Sequence, residues 1–195
     1  MGLKISKEEI AELPIETFRG DIVVVDHIET IGEVCDYLSS QSALGFDTET
    51  KPAFKRGQEN KVALMQLSTE DECFLFRLNR IGFPDELGAI MSNREIRKIG
   101  LSLRDDFAAI RKRSIRKVEN FIDLQDFVDQ FGIEDNSLQK IYAILFGRKI
   151  SKNQRVSNWE SGVLTPAQQS YAAIDAWACL RIYNYLTGKK GREGR

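Results

Sequence analysis

Strand-like runs come early in this chain and helix-like runs come late, and that order restricts the folds open to it. Ile22-Val23-Val24-Val25 reads as a short strand, followed by a helix from about Glu29 to Ser39. Leu44-Gly45-Phe46-Asp47-Thr48-Glu49 reads as the next strand. Val62 to Leu67 and Cys73 to Arg77 follow as two more, joined by the polar turn Ser68-Thr69-Glu70-Asp71. Pro84 suits the first turn of a helix running to about Met91. Ile96 to Ile99 predicts a short strand that leads into a helix beginning near Leu103, and Phe121-Ile122-Asp123-Leu124 a last strand. Nearly everything beyond is expected to be helical. In Thr165-Pro166-Ala167-Gln168, Thr165 can cap, Pro166 fits the first helical position and Gln168 completes a capping-box-like pair, so a helix to about Leu186 is predicted. This order implies one α/β domain with a mixed sheet, spanning residues 21–187 between an N-terminal extension, 1–20, and a frayed tail, 188–195.

The 195 residues are 42% hydrophobic and 29% charged, enough for one domain with a substantial core. No run of ~18 apolar residues occurs, so neither a transmembrane helix nor a membrane partner is expected. Met1 to Lys7 runs straight into charge and lacks the apolar core of a signal peptide. The odd count of three cysteines (Cys35, Cys73 and Cys179) suits a reducing compartment and no zinc site, and a cytoplasmic location is expected. The net charge of −1 does not advertise a nucleic-acid binder. Basic residues do cluster between 94 and 117, and again as Arg148, Lys149, Lys152 and Arg155, where the bland reading is a pair of solvated faces.

Asp47 and Glu49 stand at i and i+2 on a predicted strand, so both carboxylates leave the same face while Phe46 and Thr48 point the other way. Two carboxylates so close repel unless a cation or a proton lies between them, and hard divalent metals take such oxygen ligands. A strand end reaching solvent would explain the pair equally well. Tyr171 and Asp175, four apart in Tyr171-Ala172-Ala173-Ile174-Asp175-Ala176, share one face of the last helix, and the small alanines permit close approach to a sheet. In Gly100 to Phe107 a strand turns into a helix whose first turn carries Asp105 and Asp106. Chemistry alone does not choose between those two, and either would also serve as a helix-dipole acid.

Taken together, these motifs resemble the DEDD superfamily of 3′→5′ exonucleases, in its tyrosine form, the group that includes ribonuclease D and the Werner syndrome exonuclease domain. The resemblance runs over roughly residues 21 to 187. Gly45-Phe46-Asp47-Thr48-Glu49 matches the first exonuclease motif, Lys98-Ile99-Gly100 through Phe107 resembles the second and favours Asp106, and Tyr171 to Ala176 matches the third. Ser157-Asn158-Trp159-Glu160 resembles the segment that precedes the third motif, and Gln66 sits where the second strand of the family often carries a glutamine. The single histidine, His27, precedes the acidic pair, and position 170, where the histidine branch needs its His, is Ser.

The resemblance implies a ribonuclease H-like mixed sheet flanked by helices. It also implies two divalent ions, Mg²⁺ or Mn²⁺, with Asp47, Glu49 and Asp175 on one, Asp47 bridging to the second and Asp106 reaching it through water. Catalysis would fall to Asp47, Glu49, Asp106, Tyr171 and Asp175, with Tyr171 orienting the attacking water. Substrate contacts are expected from Thr48, Gln66, Lys152, Arg155 and Trp159, and Phe54 and Lys55 are expected to line the entrance. A core role for the Trp159 indole competes with stacking on a base. The implied partner is the single-stranded 3′ end of DNA or RNA, together with a helicase or other nucleic-acid-processing protein. A binding module without turnover on the same fold is the alternative, although such modules usually lose acids that are all present here. A haloacid dehalogenase-type phosphatase would want a second Asp where Glu49 stands and would leave Tyr171 and Asp175 unexplained.

Overall fold

The computed structural model describes residues 2–53, 57, 60–114 and 116–188. Its elements run α1 (Lys7–Glu12), β1 (Asp21–Val25), α2 (Ile31–Ser39), β2 (Ala43–Thr50), β3 (Val62–Ser68), β4 (Glu72–Phe76), α3 (Leu78–Ile81), α4 (Asp85–Ser92), β5 (Arg97–Gly100), α5 (Arg104–Arg111), β6 (Phe121–Asp123), α6 (Leu124–Phe127), α7 (Leu138–Phe146) and α8 (Pro166–Leu186). The six strands form one sheet in the order β1-β4-β3-β2-β5-β6. β2–β3 and β3–β4 pair antiparallel, whereas β1–β4, β2–β5 and β5–β6 pair parallel, so the sheet is mixed as expected.

All seven residues of β3 are buried. It therefore reads as an apolar run instead of an alternation, because helices cover both faces of the sheet. On one face, Phe46, Met65, Leu67, Phe74 and Phe76 pack with Ile31, Cys35 and Leu38 of α2, Leu87, Ile90 and Met91 of α4, and Ile110 of α5. On the other, Leu64, Cys73 and Leu75 meet Ala172, Ala173 and Ala176 of α8, and Ile99 joins Leu124 of α6, Ile141 and Tyr142 of α7 and Ile174 to Tyr183 of α8. α8 lies close against the sheet, since a Cβ added at Gly45 would sit 2.0 Å from the Ala176 carbonyl oxygen. Only a residue without a side chain allows that approach.

Thr165 caps α8 with the predicted reciprocal bonds to Gln168, and Pro166 is its first residue. Pro84 serves as the N-cap of α4, not as part of its first turn. α1, capped by a Ser6–Glu9 capping box, lies in the stretch assigned to the N-terminal extension. That stretch is tied to the rest of the chain: Leu3 N donates to Gly132 O, Glu16 N to Lys149 O and Lys149 N to Pro14 O.

The larger departure is residues 147–165, which contain no helix. Asn, Ser and Gly in this stretch favour turns over helix, and the chain forms successive tight turns, among them Arg155 N to Lys152 O, Ser157 N to Gln154 O and Ser161 N to Asn158 O. The segment is held from the sheet side. The buried Arg77 guanidinium donates to Gly162 O at 2.9 Å and also to Ser161 O, and Arg80 donates to Gly162 O. No described helix is long and apolar enough to cross a membrane.

Candidate active site

Asp47 and Glu49 project from β2 toward α8, where Asp175 faces them. A ligand oxygen from each of the three lies within 4.8 Å of the others. All three are half-buried, and no described arginine or lysine forms a salt bridge with them. Burial holds the Asp47 carboxyl well above the ordinary range, reinforced by Asp175, Glu49 and Asp106. Burial also raises Glu49, again with Asp175 and Asp106 adding to it, while Arg155 pulls the other way. Asp175 is raised by burial, opposed by a hydrogen bond from Tyr171 and by the charge of Lys152. Three oxygen ligands that repel one another in a pocket are the donor set that a hard divalent cation would relieve.

Asp106 occupies the first turn of α5, where burial lifts it to about 6 and the Thr48 hydroxyl, which donates to its carboxylate, lowers it. Asp105 beside it is exposed. The turn that presents Asp106 is fixed from β6: Asp123 accepts from Ser102 N at 2.9 Å and Leu103 N at 2.8 Å. Ser102 takes a left-handed φ of 59° there, a conformation that non-glycine residues hold only when neighbours impose it. Nothing in the local sequence marked Asp123 for this task, because its partners lie some twenty residues upstream.

Tyr171 sits one helical turn before Asp175. Burial pushes its phenol up, and Asp175, Glu49 and Asp47 push in the same direction. It therefore remains a proton donor throughout the working pH range. Its ring lies 6.0 Å from that of Trp159. Beside Tyr171 and Asp175 opens a cavity of ≈ 330 Å³ lined also by Lys152, Arg155, Gln125, Asn136 and Gln139. The last three were missed from sequence; α6, the turn before α7 and α7 itself bring them together only in the fold.

Two expected substrate contacts require correction. Trp159 is fully buried, packed with Leu64, Leu75 and the alanines of α8, so its face is unavailable to a base. Gln66 is also fully buried. The hydroxyl of Thr48 is directed to Asp106. Lys152 and Arg155 do line the cavity, whereas their neighbours turn elsewhere: Arg148 pairs with Glu16 at 3.8 Å and Lys149 donates to Ala11 O. Nor does the 94–117 run make one basic face. Lys98 is buried, donating to Asn93 O at 2.7 Å, and Arg113 donates to Leu78 O and Val62 O. Phe54 and Lys55 lie outside the described residues. His27 is exposed just past β1 and is not part of the acid cluster.

A profile of the 3′–5′ exonuclease family matches residues 22–189. The chain belongs to that family. It is 34% identical over 184 residues to the bifunctional 3′–5′ exonuclease/ATP-dependent helicase WRN of Mus musculus, an alignment covering 89% of this chain and 13% of that protein. Ribonuclease D of Acidiphilium cryptum is 25% identical over 182 residues, covering 89% of this chain and 44% of the relative. The chain thus spans less than half the length of either protein. Among solved structures, the Aedes aegypti Nibbler EXO domain superposes with a TM-score of 0.76 at 24% identity, covering 89% of this chain and 92% of that one. The ribonuclease H-like fold expected from the motifs is the one observed.

Proposed function

We propose that this chain removes nucleotides one at a time from the 3′ end of a nucleic-acid strand, releasing nucleoside 5′-monophosphates. The observation that carries the reading is the convergence of Asp47, Glu49 and Asp175 beneath Tyr171, next to a cavity lined by Lys152 and Arg155. Asp47, Glu49 and Asp175 would hold one divalent ion, Mg²⁺ or Mn²⁺. Asp47 and Asp106 would hold a second. Bound there, the ions supply acidification of the attacking water and neutralisation of the charge that develops on the phosphate and the departing 3′-oxygen. Tyr171, protonated and beside Asp175, orients that water through its hydroxyl and does not act as a base. Thr48 fixes the Asp106 carboxylate. Lys152 and Arg155 bear the positive charge that a strand's phosphates need on entering a pocket of acids.

Relatives named for exonuclease activity and a Trypanosoma brucei ribonuclease D solved with RNA U12 support a nucleic-acid substrate. The mouse relative carries a helicase in the same polypeptide, which supports a strand-opening activity as a partner here. The three buried, free cysteines suit a reducing, cytoplasmic setting.

The test uses 5′-labelled single-stranded DNA and RNA with Mg²⁺ or Mn²⁺, an EDTA control and an Asp47→Ala sample. A ladder shortening by one nucleotide from the 3′ end, absent with EDTA and in the variant, is expected, and the faster ladder names the preferred sugar. Binding of both strands without any cleavage would instead favour a module that holds nucleic acid.

A further inference from the structure

Gln66 occupies the middle of β3, a strand otherwise built of Val, Ala, Leu, Met and Ser. It is fully buried, and neither its Oε1 nor its Nε2 finds a hydrogen-bond partner among the described residues. A buried amide with both ends unpaired is costly, and a leucine or methionine would be the ordinary occupant. The cost implies a partner that arrives with the working state of the site.

Register identifies that partner. Gln66 pairs with Asp47 of β2 on one side and Leu75 of β4 on the other. Residues directly opposite in an antiparallel pair share a face, with Cβ atoms about 4.5–5.5 Å apart, within reach of a glutamine side chain. Leu64 and Leu75 from the sheet and Ala172, Ala173 and Ala176 from α8 form an apolar cluster on this face. Ser68, the next residue of β3 on the same face, gives its hydroxyl to Thr69 O and Glu72 O. Asp47 is the charged residue directly opposite Gln66 in the register, with Leu75 opposite on the other side.

We infer that Gln66 is a positioning residue, whose Nε2–H donates to the ionised Asp47 carboxylate from within the core and fixes the oxygen that Asp47 presents to the metal. The inference rests on the metal-site reading of the acid cluster. Groups that hold a ligating carboxylate in place typically set metal affinity by about 10–100-fold. A glutamine suits the task because it donates without adding charge to a cluster already crowded with acids.

The test is Mn²⁺ titration by calorimetry on the full chain, with Gln66→Leu and the more flexible Gln66→Met, alongside thermal unfolding in EDTA. Both variants are expected to melt in EDTA at or above the wild-type temperature, since an unpaired amide has been removed, yet to bind Mn²⁺ about 10–100-fold more weakly. Wild-type Mn²⁺ affinity in a folded variant overturns the inference, and a lowered melting temperature with unchanged affinity assigns Gln66 a purely structural part. Asp47→Ala keeps the two readings apart. If the wild type binds Mn²⁺ no better than Asp47→Ala, the metal site itself falls, and this inference with it.

Discussion

Thr48 donates its hydroxyl to the carboxylate of Asp106, joining the strand that carries Asp47 and Glu49 to the first turn of α5 across 58 residues of sequence. The same short stretch of β2 that presents Asp47 and Glu49 therefore also holds the acid that α5 presents. Thr48→Val keeps the shape and the β-branch but removes the donor. Asp106 then loses the hydrogen bond that opposes its burial. About a 10-fold fall in turnover is expected, in line with the loss of one hydrogen bond to a charged group, with a melting temperature close to wild type. Full activity in Thr48→Val would mean that Asp106 needs no fixing from β2.

Tyr171→Phe separates water orientation from metal binding. The phenol is raised by burial and by the surrounding acids, so it does not ionise where the enzyme works. The variant should therefore lose about 10²-fold in turnover by the same factor at every pH between about 6 and 9. Mn²⁺ binding should persist. A new pH dependence in the variant would assign Tyr171 a proton-transfer role in place of an orienting one.

These two residues mark how much of the site was legible. Asp47/Glu49 and Tyr171/Asp175 are local patterns, at i, i+2 on a strand and i, i+4 on a helix, and geometry follows from spacing alone. The capping signals Thr165, Pro166 and Gln168 likewise lie within four residues, and α8 begins where they place it. Long-range dependence hid the rest. Residues 147–165 hold their irregular course because Arg77 and Arg80 bind their carbonyls and Trp159 is buried among Leu64, Leu75 and α8. Asp106 is separated from Asp105 by a hydroxyl from β2. The burial of Gln66 follows from helices covering both faces of β3, which a polar residue in an apolar run does not reveal by itself.

The crowding of the acids sets a direction for pH. Burial raises Glu49 to about 9, with Asp175 and Asp106 adding to it, and burial also raises Asp175 to about 7 and Asp106 to about 6. In the unfolded chain such groups lose their protons near pH 4. Between about pH 4 and the raised values the folded state holds more protons than the unfolded one, so stability from this cluster is present at low pH and is lost as pH rises. In EDTA, the wild-type melting temperature should fall more between about pH 5 and 8 than that of Glu49→Gln/Asp175→Asn. Mg²⁺ at about pH 8 should restore the wild type and leave the double variant unchanged. Parallel curves for the two proteins would contradict the raised carboxyls.

Arg77 tests what holds the 147–165 segment. Its guanidinium bonds two successive carbonyls, of Ser161 and Gly162, from a fully buried position. Arg77→Lys keeps the charge but not the planar fork, leaving a carbonyl unpaired. A loss of about 1–3 kcal/mol is expected, which for a chain of this size lowers the melting temperature by several degrees, at about 2–4 °C per kcal/mol. Protease cleavage within 147–165 should accelerate. An unchanged melting temperature would show that Trp159 and the turns suffice.

Arg155 and Arg148 occupy the same irregular segment but face different surroundings, and that contrast tests the path of the strand. Arg155 lines the cavity beside Tyr171 and Asp175 and acts on the charge of Glu49, while Arg148 pairs with Glu16. A side chain that meets a phosphate releases counterions, so its removal lowers the salt dependence of binding by about 0.7 to 1 in log–log slope. Arg155→Ala should weaken binding of single strands of any sequence, raise KM more than it lowers kcat and flatten the salt dependence by about that amount. Arg148→Ala should leave the slope as it was. If both variants keep the wild-type slope, the phosphates run past another surface, and the positive charge of Arg155 then acts chiefly on the acids beside it.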